Sequence, residues 1–141
     1  MHYIDTSVLA AFYVPESLSD LAEDFLLSCQ QPAISSLTKV EFASALARRI
    51  RIGELTKADG ERLTALFQNH LDGGIYTNLP LTDDHFLLAC KWISSWRMAL
   101  KSLDALHLAL AAVGELTMVT ADRQMARAAE SLTVKVLLLS I

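Results

Sequence analysis

Cysteine and long apolar runs are both scarce in this 141-residue chain. Its two cysteines, Cys29 and Cys90, fall on apolar faces of predicted helices. We therefore expect two buried thiols in a reducing compartment, the cytoplasm, and no disulfide framework. No run reaches the roughly 18 uncharged apolar residues that a membrane-spanning helix needs. No basic segment followed by an apolar stretch opens the chain, so we expect no signal peptide and no membrane association.

Positive charge is also limited, because 12 lysines and arginines face 16 acidic residues, for a net charge of −4. This balance argues against broad, charge-driven binding of nucleic acid, although residues 48–51 form a local basic patch. The glycine-rich loops that bind phosphates or dinucleotides are missing. There is also no Ser-His-Asp order and no thiolate spacing typical of zinc sites. The chemistry of this protein must therefore come from other side chains.

Short apolar segments alternate with helical patterns along the chain. Predicted strands lie near residues 1–4, 33–35, 75–79, 117–120 and 134–139, and the last of these is expected to lie at a sheet edge. The residues between them have helical spacing, and Gly114 is predicted to end one helix in the left-handed conformation. The pattern indicates a single domain over residues 1–141. It predicts an α/β sandwich with a mostly parallel central sheet of about five strands.

Three aspartates stand at junctions between strands and helices. Asp5 follows the first strand, Asp122 follows the strand at 117–120, and Asp104 stands just before the helix that leads into that strand. In an open parallel sheet, ligands bind beyond the carboxyl ends of the strands. Each aspartate could instead simply cap its helix. Together at one edge, however, they would repel by roughly 4 kcal/mol per close pair, which favours a bound divalent cation.

Glu41 lies in the first turns of a predicted helix and could project over the same edge. Alternatively, Thr38 and Glu41 fit a capping box, in which Glu41 would bind a backbone N–H group. Arg48, seven residues further, lies on roughly the same helix face and could contact a phosphate group or remain solvated. Four carboxylates without imidazole or thiolate favour Mg²⁺ or Mn²⁺, which commonly serve phosphoryl chemistry.

Three segments carry a resemblance to a known family: YIDTSVLAAF, SLTKVEFASALARR and LDALHLALAAVGELTMVTADRQMARAA. The sequence resembles PIN-domain ribonucleases, specifically VapC-type toxins of bacterial or archaeal toxin–antitoxin pairs. The resemblance implies a PIN-like three-layer α/β/α sandwich and metal-dependent endoribonuclease activity. It also implies an RNA substrate, a homodimer, and a cognate antitoxin that covers the acidic cleft with an extended peptide.

The same resemblance assigns roles to particular residues. Its acidic catalytic cluster would be Asp5, Glu41, Asp104 and Asp122. Asp5 and Asp104 would bind the metal, Asp122 would bind it directly or through water, and Glu41 would orient the metal or the attacking water. Thr6 and Thr120 would supply nearby hydroxyl groups.

Part of the chain departs from the family pattern. Residues 53–101 match no motif, and Leu132 and Thr133 stand where the family usually has a glycine, so the RNA target is not predicted. The alternative hypothesis is a catalytically silent module of the same fold that binds nucleic acid or protein. A metal-dependent phosphatase is disfavoured, because the nucleophilic-aspartate enzymes begin with D-x-D whereas this chain has Asp5-Thr6-Ser7.

Overall fold

Seven helices alternate with five short strands in the computed structural model, which describes residues 1–141. In chain order the elements are β1 (His2–Ile4), α1 (Thr6–Tyr13), α2 (Ser19–Ser28), β2 (Pro32–Ser35), α3 (Ser36–Arg51), α4 (Lys57–Asp72), β3 (Thr77–Leu79), α5 (Asp83–Ser94), α6 (Ser102–Val113), β4 (Thr117–Thr120), α7 (Arg123–Ser131) and β5 (Val136–Leu138). No helix among them is long and apolar enough to cross a membrane.

The five strands form one sheet in the order β3-β2-β1-β4-β5, and every neighbouring pair is parallel. The predicted parallel α/β sheet is therefore confirmed, with the last strand at an edge. β1 lies at its centre, with Tyr3 beside Ala33 of β2 on one side and Met118 of β4 on the other. Because all strands run in the same direction, their carboxyl ends share one edge of the sheet.

Neighbouring residues of β1 enter different cores, as strand alternation requires. Ile4 packs in a cluster that includes residues of α1 to α4, such as Val8 and Phe67. Tyr3 packs in a second cluster that includes residues of α6 and α7, such as Leu108 and Met125. Helices thus cover both faces of the sheet, and the predicted three-layer arrangement is confirmed. Burial of each large apolar side chain contributes roughly 1.5–3 kcal/mol.

The middle of helix α6 is deeply buried. Residues 105–111 are all buried, as expected for a helix that is apolar on nearly every face. The predicted left-handed conformation of Gly114 is wrong, because its φ is −82° and the left-handed residue is Glu115, with φ 54°. A Cβ at Gly114 would meet the Leu116 side chain at 3.2 Å and the Leu110 carbonyl oxygen at 3.3 Å. Close packing, not backbone conformation, favours glycine at this position.

Two further predictions about local structure need correction. The last strand is shorter than residues 134–139, because the Val134 N–H donates to the carbonyl of Ala129 at the end of α7 and not to the sheet. The thiols are not both buried, since Cys29 lies half-buried just beyond α2 and Cys90 is exposed on α5. Both cysteines are free, as expected.

Candidate functional site

Four elements bring carboxylates towards the carboxyl edge of the sheet. Asp5 follows β1 and Asp122 follows β4, the neighbouring strand, and the Asp5 N–H extends the ladder by donating to the Val119 carbonyl at 2.9 Å. Asp104 lies in the first turn of α6, inside the helix rather than just before it as predicted. Glu41 lies in the second turn of α3. The negative charges of the other three carboxylates all act on Asp104, so the four groups lie near one another. Within them, Asp5 and Glu41 form a tighter group with His107, whose ligand atoms all lie within 4.8 Å of one another.

Asp5 is buried and is held by hydroxyl groups from two elements. Its Oδ2 accepts hydrogen bonds from Ser7 Oγ at 2.6 Å and from Thr120 Oγ1 at 2.8 Å. Thr120 Oγ1 also accepts the Asp122 N–H at 3.0 Å, which ties the ends of β1 and β4 together. Asp5 occupies the N-cap position of α1 but makes no side-chain capping bond. The capping alternative is therefore wrong for Asp5.

Glu41 is likewise held through one oxygen atom. Its Oε1 accepts hydrogen bonds from Thr6 Oγ1 at 2.7 Å and from His107 Nε2. Burial raises the pKa of Glu41, but the hydrogen bond and charge of His107 and the Thr6 hydroxyl outweigh it and hold the pKa below its usual range. The capping box of α3 is formed by Ser35 and Thr38 instead. The capping interpretation of Glu41 is therefore wrong.

The other two carboxylates are held less tightly. Asp122 is exposed, and its Oδ1 accepts the Gln124 N–H at 2.8 Å, so the capping alternative is correct for this residue. Asp104 is half-buried and accepts no hydrogen bond from the protein. Burial raises the pKa of Asp104, and the charges of Asp5, Glu41 and Asp122 raise it further while His107 opposes them. Asp104 is thus the carboxylate whose ionisation is least favoured.

Every carboxylate of the cluster keeps at least one oxygen without a protein donor. These atoms are Oδ1 of Asp5, Oε2 of Glu41, Oδ2 of Asp122 and both oxygens of Asp104. No buried side-chain polar atom lacks a hydrogen-bond partner, so these free oxygens remain accessible. An all-oxygen donor set of this kind fits a hard divalent cation such as Mg²⁺ or Mn²⁺.

Arg48 is the predicted site residue that lies apart from the cluster. It is exposed on α3, two turns beyond Glu41, and forms no ion pair. Its neighbour Arg49 pairs with Glu54 at 3.6 Å.

The family model of the PIN domain matches residues 2–131 of the sequence. The chain belongs to the PIN domain family. No curated protein sequence matches it.

Several solved structures share the fold of this PIN domain. VapC20 of Mycobacterium tuberculosis, described as a sarcin-ricin loop cleaving toxin, is 17% identical, with a TM-score of 0.73 over 91% of this chain and 95% of that one. A chain of the Rickettsia felis VapBC2 complex, bound to a DNA fragment from its promoter, is 12% identical, with a TM-score of 0.71 over 99% of this chain and 100% of that one. FitAcB of Neisseria gonorrhoeae is 17% identical, with a TM-score of 0.67 over 97% of this chain and 96% of that one.

Two polar residues of this PIN domain were missed by the sequence analysis. Ser7 donates to Asp5 and accepts the Ala121 N–H at 3.0 Å. His107 is fully buried and bonds Glu41 and Tyr3. Ser7 follows Asp5 by two residues and His107 follows Asp104 by three, so proximity to a predicted aspartate is the signal that could have found both.

Proposed function

We propose that this PIN domain is a Mg²⁺- or Mn²⁺-dependent endoribonuclease that acts in the cytoplasm as the toxin of a toxin–antitoxin pair. The observation that carries the proposal is the set of four carboxylates at one sheet edge, each with an oxygen that no protein group occupies. Membership of the PIN family and the shared fold with VapC20, a toxin that cleaves the sarcin-ricin loop, support it.

The proposed metal-binding residues are Asp5 and Asp104, with Asp122 binding directly or through water. Glu41 orients the metal or the attacking water. When bound, such a cation supplies an activated water and neutralises charge that develops on the scissile phosphate. All four side chains come from different elements, so the folded sheet edge is needed to assemble them.

The chain's own residues prepare the carboxylates for this chemistry. Ser7 and Thr120 fix Asp5 through Oδ2, which leaves Oδ1 without a protein donor. Thr6 and His107 fix Glu41 through Oε1, and the lowered pKa of Glu41 keeps this group ionised, so that Oε2 can orient a cation or accept a hydrogen bond from water. Arg48 is proposed to contact a phosphate group of the RNA at a distance from the reacting bond.

The proposal includes a homodimer and a cognate antitoxin. Several large apolar side chains are exposed and could be covered by these partners, among them Leu27, Val40 and Leu87. Solved structures that share the fold include a toxin–antitoxin complex from Klebsiella pneumoniae.

The direct test is cleavage of a mixed RNA panel by purified protein in Mg²⁺, Mn²⁺ or EDTA. Asp5→Asn should abolish cleavage and toxicity while the fold is retained, because it removes the charge of a buried carboxylate in the cluster. Asp20→Asn is the matched control, since Asp20 is exposed in the first turn of α2, and this variant should cleave at the wild-type rate.

Cleavage by Asp5→Asn at the wild-type rate would refute the proposed site. Wild-type protein that cleaves no RNA and shows no metal affinity in calorimetry would instead favour the binding module.

A further inference from the structure

A buried chain of hydrogen bonds runs from the carboxylate cluster into the core. It connects Glu41 to His107, His107 to Tyr3, and Tyr3 to Ser35. His107 and Ser35 are completely inaccessible to solvent, and so is Tyr3. A buried polar group destabilises a fold unless it is hydrogen-bonded. Alanine and leucine fill the other buried positions of α6, so packing alone does not explain a histidine there.

Both ring nitrogens of His107 are engaged by the protein. Nε2 bonds Oε1 of Glu41, and Nδ1 lies 2.6 Å from the hydroxyl of Tyr3. Although Nε2 and oxygens of Asp5 and Glu41 lie within 4.8 Å of one another, a metal ion at Nε2 would have to displace the bond to Glu41. The all-oxygen remainder of the cluster already provides the ligands that Mg²⁺ and Mn²⁺ prefer.

The partners of the two ring nitrogens fix the orientation of His107. Nε2 faces a carboxylate oxygen of Glu41, which can only accept a hydrogen bond, so Nε2 carries a proton and donates it. On the other side of the ring, Nδ1 is hydrogen-bonded to the Tyr3 hydroxyl, which also lies 2.8 Å from Ser35 Oγ. Tyr3 thereby holds the ring with Nε2 towards Glu41.

We infer that His107 is a positioning residue for Glu41 and not a metal ligand, an inference that rests on the proposed nuclease function. Tyr3 fixes the orientation of the His107 ring. Together with Thr6, His107 saturates Oε1 of Glu41 and leaves Oε2 for the metal or the attacking water. Tyr3 and Asp5 lie two residues apart on one extended segment. The segment that includes β1 therefore positions Asp5 directly and Glu41 through Tyr3 and His107.

The test compares His107→Gln with His107→Met in the full chain. Glutamine can still donate an amide N–H to Glu41, whereas methionine has similar size and no donor. We expect methionine to weaken Mn²⁺ affinity, measured by calorimetry, or the turnover of RNA by about 10- to 100-fold. Glutamine should recover most of the loss. Tyr3→Phe should give an intermediate loss, because the ring keeps its bond to Glu41 but loses its anchor.

His85→Met is the control for a purely structural histidine. His85 is buried and its Nδ1 accepts the Thr82 N–H at 2.9 Å, so it stabilises the start of α5. This variant should lower the thermal midpoint without changing Mn²⁺ affinity or turnover. Equal losses of affinity and turnover in His107→Gln and His107→Met would overturn the inference, since packing alone would then explain them.

Electron spin-echo modulation of the Mn²⁺-loaded wild-type protein provides a readout that does not involve RNA. We expect no directly coordinated ¹⁴N. A ¹⁴N coupling that disappears in His107→Gln would show that His107 is a ligand and would overturn the inference. Wild-type protein that binds Mn²⁺ but cleaves no RNA would refute only the proposed nuclease, because affinity and spectrum still test His107. Wild-type protein that binds no Mn²⁺ would refute both.

Discussion

Replacing Asp104 by asparagine is expected to stabilise the protein when no divalent cation is bound. Asp104 is half-buried, accepts no hydrogen bond, and is repelled by Asp5, Glu41 and Asp122. Two unit charges about 5 Å apart repel by about 3 kcal/mol at an effective dielectric of about 20. Solvent screening reduces this value, above all for the exposed Asp122. The attraction of His107 reduces it further.

The carboxylate of Asp104 also has a favourable interaction that the variant would lose. In the first turn of α6 it stabilises the helix dipole, which contributes about 0.3–1 kcal/mol. The net gain expected for Asp104→Asn is therefore about 1–2 kcal/mol in the free energy of unfolding. For a chain of this length that corresponds to a rise of roughly 3–6 °C in Tm.

The gain should depend on pH in a defined direction. Burial and the neighbouring carboxylates raise the pKa of Asp104, so the folded protein binds this proton more tightly than the unfolded chain. The stability that protonated Asp104 contributes is fully present below the unfolded pKa and is lost as pH rises through the folded pKa. The difference in Tm between variant and wild type should thus be largest near about pH 7.5 and shrink towards about pH 4.

Thermal denaturation in EDTA followed by circular dichroism measures this difference. Asp20→Asn is the control, because Asp20, like Asp104, is an acidic residue in the first turn of its helix but is exposed to solvent. Its Tm should stay close to that of the wild type, because substitutions at exposed positions usually change stability by less than about 0.5 kcal/mol. A lower Tm for Asp104→Asn than for wild type in EDTA at neutral pH would refute the reasoning, because capping would then outweigh repulsion.

Saturating Mn²⁺ should reverse the order of stability. At a concentration 100-fold above its dissociation constant, a ligand stabilises the folded state by about 2.7 kcal/mol. Wild-type protein should gain this increment, and Asp104→Asn, with one metal-binding carboxylate fewer, should gain much less. An equal Mn²⁺-dependent rise in Tm for both proteins would remove Asp104 from the proposed metal site.

Two further predictions concern the groups around the cluster. Thr120→Val removes a donor to Asp5 and the acceptor of the Asp122 N–H. It should lower the free energy of unfolding by about 1–3 kcal/mol and weaken Mn²⁺ affinity by about 10-fold. An unchanged Mn²⁺ dissociation constant in calorimetry would contradict this role. Arg48→Ala should raise KM for RNA several-fold and leave kcat unchanged, because Arg48 lies two helical turns from Glu41. An unchanged KM in steady-state kinetics would rule out the proposed phosphate contact.

The positions of the aspartates follow from local sequence patterns. A short apolar strand followed by Asp5 or Asp122 predicts a carboxylate at the sheet edge, because the direction of a parallel strand fixes which end leads into the next helix. What local patterns do not predict is which oxygen atoms remain free. That depends on hydroxyl groups far along the chain, such as Thr120, which lies 115 residues from Asp5.

Glu41 illustrates a case in which local chemistry was ambiguous. Its sequence neighbours were compatible both with a capping box and with a position at the acidic cluster. The side chain adopts the second arrangement because it is hydrogen-bonded to Thr6 and His107, which lie 35 and 66 residues away in the sequence. The position of His107, three residues after Asp104, places it near the cluster but does not show that its partner is Glu41, 66 residues away. The predicted start of the last strand was wrong because the Val134 N–H donates to the end of α7 and not to the neighbouring strand.

The arrangement of donors bears on the choice between a nuclease and a silent binding module. In Asp5 and Glu41 the protein binds one carboxylate oxygen with two donors and leaves the other oxygen free, although both side chains are largely removed from solvent. A fold that only had to be stable would gain by neutralising Asp104 or by pairing it with a donor. We expect the unpaired charge to destabilise the metal-free protein, and a cation bound by Asp5 and Asp104 would reverse that effect. This arrangement of donors supports the proposed cation site, and with it the proposed nuclease, over the silent binding module.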